Sequence, residues 1–120
     1  MKILLVEDNE ILAKGLIYSL EQKKYQVIHT LNVENTLKIL KTEKIDLAIL
    51  DVSLPDGNGF DLYRNNIKIV PKRQIGYIFH IVSFRELKKT PHNTHYVVKR
   101  DDLMEVLWDY FQKKPLQILR

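Results

Sequence analysis

The chain has no cysteine in its 120 residues. Disulfides and thiolate metal sites are therefore excluded, and the fold must be held by a hydrophobic core. That usage fits a reducing compartment, and a cytoplasmic location is expected. Long apolar runs are also missing. The opening MKILLVEDNE stays apolar for only a few residues before turning acidic. That is too short for a signal peptide or a membrane span, and it reads as a buried strand. No repeat, low-complexity stretch or internal linker interrupts the chain. Apolar residues make up 45% and charged residues 28%, which is ordinary for a globular domain and speaks against disorder. The length suits one domain.

The net charge is +4. Most carboxylates lie in the first half and most Lys and Arg in the second. A basic balance raises a nucleic acid or another acidic partner as an option. No recognition motif accompanies the charge, so a solvated basic surface is the better reading.

The apolar pattern alternates between strand and helix. Ile3 to Val6 and Ile45 to Leu50 are continuous apolar runs, as expected of parallel strands covered on both faces. Tyr25 to Thr30 alternates, like a strand nearer a sheet edge. Asn9 can cap a helix whose stripe is Leu12, Ala13, Leu16, Ile17 and Leu20, at helical spacing. Val33, Leu37 and Leu40 mark a second helix, and Phe60, Tyr63 and Ile67 a short third. Between them, DVSLPDGNG carries Pro55, Gly57 and Gly59 and reads as a loop. Tyr77 to Val82 and Tyr96 to Val98 complete five expected strands. Asp102 and Glu105 stand at capping-box spacing before a last helical stripe that reaches Phe111. The segment Phe84 to His95 is short and holds Pro91 and Asn93, so the fourth helix is expected to be shortened or irregular. Such alternation predicts a parallel sheet with helices on both faces.

In an open parallel sheet the functional groups gather beyond the carboxyl ends of the strands. Glu7 and Asp8 follow the first expected strand, Asp51 the third and Lys99 the last. Carboxylates brought together repel one another and favour a hard divalent cation, and magnesium suits one or two carboxylates plus water and phosphate oxygens. Lys99 supplies a point charge for a phosphoryl group. Such a site can accept phosphate on a carboxylate, with Asp51 as nucleophile. Asp8 and Asp51 would ligate Mg²⁺ directly, Glu7 through water, and the main-chain carbonyl of Ser53 would complete the protein share. Taken singly, an acidic pair is a favourable helix start, an Asp before a Pro/Gly loop is a turn former, and a lone Lys is solvated. Their joint placement at strand ends is what points to chemistry. His92 and His95 lie beside Pro91 and Asn93 with no third ligand evident, so a metal role is not assigned to them.

ILLVEDN at the start, LDVSLPDGNGFDL around Asp51 and YVVK ending at Lys99 resemble the response-regulator receiver family, most strongly over the first 65 or so residues. The flavour is that of receivers preceding a winged-helix DNA-binding domain. The resemblance implies a flavodoxin-like, doubly wound five-stranded parallel sheet with flanking helices. It implies a receiver domain over 1–114, with 115–120 as a tail or the start of a linker. It further implies Asp51 as phosphoacceptor from a sensor histidine kinase, Mg²⁺ as cofactor, and signalling rather than enzymatic turnover. Transcription would be controlled through an output domain not present in this chain, which alone would meet DNA. A homodimer is left open, and no membrane partner is implied. Tyr96 matches the family's switch aromatic. The family's hydroxyl after the fourth strand has two candidates: Ser83, preferred, and His80, which fits the spacing from Asp51 better but would lie inside an apolar strand. Phe84 after Ser83, and Arg100 in place of the usual proline, depart from the pattern. A degenerate receiver, acting as a phosphorylation-independent interaction module, is the alternative. A phosphatase of the aspartyl-phosphate type would need a second Asp two residues after the nucleophile, where this chain has Ser53.

Overall fold

A computed structural model describes residues 2–67, 76–81 and 97–99, together with Glu105. Strand β1 (Lys2–Val6) is followed by α1 (Glu10–Gln22), β2 (Gln26–Thr30), α2 (Val33–Thr42) and β3 (Leu47–Asp51). A small hairpin, β4 (Ser53–Leu54) and β5 (Gly57–Asn58), leads into α3 (Gly59–Leu62) and a π-helical turn (Tyr63–Ile67). Strands β6 (Gly76–Ile81) and β7 (Val97–Lys99) complete the main sheet. Its order is β2-β1-β3-β6-β7, and every pairing in it is parallel. Counted by its own strands this is the 2-1-3-4-5 order of flavodoxin-like folds, as expected. Among the described residues no helix is long and apolar enough to cross a membrane.

Every residue of β3 is buried, and β1 is buried after Lys2. The reason is the period of two along a strand. Ile3, Leu5, Leu47 and Ile49 point to one face and pack with Ala13, Leu16 and Leu20 of α1. Leu4, Val6, Ala48 and Leu50 point to the other and pack with Phe60, Leu62 and Ile67, with Val33, Leu37 and Leu40 of α2 alongside. A continuous apolar run is thus two alternating sets, one for each core. Each fully buried leucine contributes about 1.5–3 kcal/mol through area removed from water.

Among the described residues, the expected elements are present with boundaries moved by one or two residues. Asn9 caps α1 as anticipated: its Oδ1 accepts from the N–H of Ile11 and of Leu12, both at 3.1 Å. Tyr25 is not in β2, because it closes the end of α1. Its N–H donates to the Leu20 carbonyl at 3.3 Å, and the Lys24 N–H donates to that of Glu21 at 2.9 Å. This pair of bonds is a Schellman motif, which needs a left-handed residue between helix and strand. Lys24 takes that role with φ of 70°. The segment read as a loop after Asp51 contains the hairpin, with only Pro55 and Asp56 between its paired residues Leu54 and Gly57. The third helix is α3 continued by the π-helical turn, which keeps Phe60 and Ile67 buried. The expected irregular segment Phe84 to His95, the helix begun by Asp102, Tyr96 and the tail 115–120 lie outside the described residues, Glu105 apart.

Lys24 carries a Cβ in a backbone region that suits glycine. Lys24→Gly is expected to stabilise the domain by roughly 0.5–1 kcal/mol, since relief of the left-handed penalty outweighs glycine's added unfolded-state entropy. Urea unfolding checks this; a midpoint at or below that of the wild type would contradict it.

Candidate functional site

Because every strand of the main sheet is parallel, all carboxyl ends share one edge. Val6 of β1 is in register with Leu50 of β3. The next residue on each strand is acidic, so Glu7 and Asp51 stand level on adjacent strands. Asp8 follows immediately. One carboxylate oxygen from each of Glu7, Asp8 and Asp51 lies within 4.8 Å of the others. Glu7 is 0% and Asp51 1% exposed, while Asp8 is at the solvent-facing mouth. The three acidic residues anticipated from the sequence therefore do meet.

Local bonds hold Glu7 in place. Its backbone N–H donates to the Thr30 carbonyl at 3.0 Å. Its Oε2 accepts from the Asn9 N–H at 3.0 Å. His29 Nε2 lies 2.8 Å from the Glu7 carbonyl oxygen. A carbonyl can only accept, so that ring nitrogen carries the proton. Beneath this edge, Thr36 donates its hydroxyl to the Asn32 carbonyl at 2.8 Å. Its single proton is then used, and the buried 2.7 Å contact with Thr30 must run from the Thr30 hydroxyl to Thr36. Neither His29 nor the threonine pair is signalled by local sequence, because both contacts join β2 to other elements.

Asp51 Oδ1 accepts from the Ser53 N–H at 3.3 Å. The hairpin thus begins on the acidic residue itself and closes when the Gly59 N–H donates to the Val52 carbonyl at 2.9 Å. Gly59 is required by close approach: a Cβ there would collide with the Asp51 carbonyl oxygen and crowd Leu50. At the hairpin tip, the Asp56 carboxylate accepts from the N–H of Val33 at 2.7 Å and of Glu34 at 3.0 Å. The bonds from Val33 and then Glu34 hold the Asp56 carboxyl below the usual carboxylate range. A depressed value in the folded state means that this contribution to stability is present above the ordinary carboxylate pKa. It is lost as pH falls through the depressed value. Reading PDG as turn punctuation gave no hint of this cap.

Two carboxylates out of water beside a third repel one another, and a nearby positive charge would offset that repulsion. Their all-oxygen donor set fits a hard cation such as Mg²⁺ and not a thiophilic metal. Farther along the edge, β6 pairs with β3 so that His80 is in register with Asp51. Lys99, the last residue of β7, is in register with Ile81. The backbone of Lys99 therefore reaches the same edge, two strands from Asp51. Ser83 and Tyr96 lie outside the described residues.

Comparison with known proteins agrees with this geometry. The family model described as response regulator receiver domain matches residues 3–79. The transcriptional regulatory protein PhoP of Bacillus subtilis, named for alkaline phosphatase synthesis, is 44% identical over 61 residues, covering 51% of this chain and 25% of that protein. VxrB of Vibrio cholerae, also a transcriptional regulatory protein, is 45% identical over 56 residues, covering 47% of this chain and 22% of that one. The matched part is thus a minor share of those longer relatives. Among solved structures, the non-phosphorylated HemR receiver domain of Leptospira biflexa superposes with a TM-score of 0.75 at 28% identity, over 99% of this chain and 98% of that one. The response regulator TrrA of Thermotoga maritima, solved in complex with Mg²⁺ and BeF, gives 0.73 at 25% identity over 90% and 96%.

Gly59→Ala is expected to push the hairpin off the Asp51 carbonyl. Overpacking of this kind destabilises by about 1–3 kcal/mol. Urea unfolding and the amide shifts of residues 51–53 should both report it. A variant with wild-type stability and unshifted amides would show that the close approach is not tight.

Proposed function

The chain belongs to the response regulator receiver domain family, and on that premise we propose that Asp51 accepts a phosphoryl group from a histidine kinase in a Mg²⁺-dependent reaction. The observation that carries this reading is the meeting of Glu7, Asp8 and Asp51 within 4.8 Å at the carboxyl edge of the sheet. An Asp51 oxygen attacks phosphorus, the P–N bond to the donor imidazole breaks, and its electron pair returns to the ring nitrogen. Bound Mg²⁺ would supply charge neutralisation for the transferring oxygens. Asp8 and Asp51 would hold it directly, Glu7 through water, and the Ser53 carbonyl would complete the protein share. The Ser53 N–H, already on Asp51 Oδ1, orients the nucleophile. Lys99 is the compact cation that pairs with a phosphoryl oxygen. Its arrival at the same edge supports that role.

For the residue beside the phosphoryl group, the register of His80 with Asp51 supports His80, with Ser83 as the alternative. Tyr96 is the proposed switch aromatic. PhoP and VxrB are transcriptional regulatory proteins, which supports control of transcription through an output domain outside these residues, acting in the cytoplasm.

A protein donor must bring its phosphorus to bonding distance of Asp51, so it must cover the mouth of the pocket. Ile11 is 86% and Tyr18 67% exposed on α1. Their spacing of seven puts them on one helix face, and Ile11 begins it three residues after Asp8. This face is proposed as the donor's landing strip.

Acetyl phosphate with Mg²⁺ is expected to add one phosphoryl mass to the intact protein, and Asp51→Asn should abolish it, because Asn lacks the anionic oxygen. A wild type that takes no label from any donor would contradict the proposal.

Ile11→Glu and Tyr18→Ala are each expected to slow transfer from the cognate kinase about tenfold or more. Labelling by acetyl phosphate should stay unchanged. Equal loss with both donors would mean that α1 acts on the pocket and not on the partner.

A further inference from the structure

The β4–β5 hairpin is fastened at both ends. At its base, Ser53 donates to Asp51 Oδ1 at 3.3 Å and Gly59 donates to the Val52 carbonyl at 2.9 Å. At its tip, Asp56 accepts from Val33 and Glu34 at 2.7 and 3.0 Å. The position of a Gly57 Cβ is only 3.0 Å from Val33 Cγ2, so the hairpin also packs on the first turn of α2. Its turn is two residues long, and one of them is Pro55, whose φ is fixed by its ring. A strap this short has little slack between its two fastenings.

The start of α2 does not need Asp56 merely to be capped. Asn32 already occupies the cap position and its Oδ1 accepts from the Asn35 N–H at 2.8 Å. Asp56 takes the two preceding amides from another part of the chain, 23 residues away from Val33. Local capping by Asn32 stabilises α2 alone, whereas the Asp56 bonds join α2 to the segment that begins on the nucleophile. Both Asp56 bonds are to a charged acceptor, which makes them stronger than neutral ones. The depressed carboxyl of Asp56 agrees with such bonding.

We propose that Asp56 is a positioning residue for the acidic pocket: by anchoring the hairpin to the amino end of α2, it holds the Ser53 segment and Asp51 in the geometry that binds the cation, and it couples α2 to occupancy of the site. The inference rests on reading Glu7, Asp8 and Asp51 as a Mg²⁺ site. Coupling of this kind is reciprocal. If anchoring the tip improves cation binding at the base, cation binding at the base must strengthen the anchor at the tip.

The test compares Asp56→Ala and Asp56→Asn with Asn32→Ala, which removes the other cap of the same helix and leaves the hairpin alone. Mg²⁺ affinity is measured by calorimetry, stability by thermal unfolding, and amide exchange at Val33 and Glu34 by NMR. Asn32→Ala should lower the thermal midpoint and leave the Mg²⁺ dissociation constant unchanged. Asp56→Ala should weaken Mg²⁺ binding roughly five- to tenfold, and Asp56→Asn, which keeps one acceptor oxygen, should fall between it and the wild type. In the wild type, Mg²⁺ should slow exchange at Val33 and Glu34, and in Asp56→Ala that response should vanish. Wild-type Mg²⁺ affinity in a folded Asp56→Ala, an equal loss in Asn32→Ala, or Val33 and Glu34 amides indifferent to Mg²⁺ would each overturn the proposal. If the unmodified protein binds no Mg²⁺, the metal reading itself fails, and the coupling falls with it before any variant is compared.

Discussion

Like charges held close together at the end of a sheet are the constraint on which this structure depends. Glu7 and Asp51 are almost wholly buried, and Asp8 completes the cluster at the surface. Carboxylates so placed repel, and burial removes the water that would screen them. The fold has to hold them there against that tendency. It does so from below with β1 and β3, whose side chains feed two separate cores and leave no freedom to slip register. A slip of one residue would exchange the two faces of the strand and empty both cores. The placement of Glu7 and Asp51 is therefore fixed by Leu4, Leu5, Leu47 and Leu50 rather than by any attraction of their own.

From above, the pocket is held by backbone and not by bulk. Asn9 binds Glu7, Ser53 binds Asp51, and His29 donates to the Glu7 main chain. Gly59 allows the returning strand of the hairpin to approach the Asp51 carbonyl. These are small polar contacts that fix direction while leaving the carboxylate cluster facing outward at Asp8. An arrangement so poised gains from a divalent cation, which turns mutual repulsion into shared attraction. In the proposed transfer to Asp51, the share of the fold would be mostly positioning and charge neutralisation.

The hairpin gives the pocket a second connection. In a doubly wound sheet the loop after each strand passes over the edge where the site lies. Here that loop is stiffened by strand pairing and a proline and reaches the adjacent helix through Asp56. A change at Asp51 thus has a short, bonded route to α2. Farther along the edge, the backbone of His80 is in register with Asp51, in keeping with its spacing from Asp51 in the sequence.

Much of this was legible in the amino acids alone. The two apolar runs, the helical stripe after Asn9 and the acidic residues that follow the runs fix strand, helix and strand end by local pattern. Parallel pairing then sends those ends to one edge, so Glu7, Asp8, Asp51 and Lys99 were nameable in advance. The left-handed Lys24, the π-helical turn at Tyr63–Ile67, the strand pairing inside the Pro-Asp-Gly loop, the Asp56 cap and the His29 bond to Glu7 were not. Side-chain periodicity is a property of neighbours along the chain, set by backbone geometry that repeats every two or 3.6 residues. A bond from Asp56 to Val33, or from His29 to Glu7, joins residues more than twenty positions apart. Its existence depends on how two elements pack, which no local repeat encodes, and only the tertiary structure decides it.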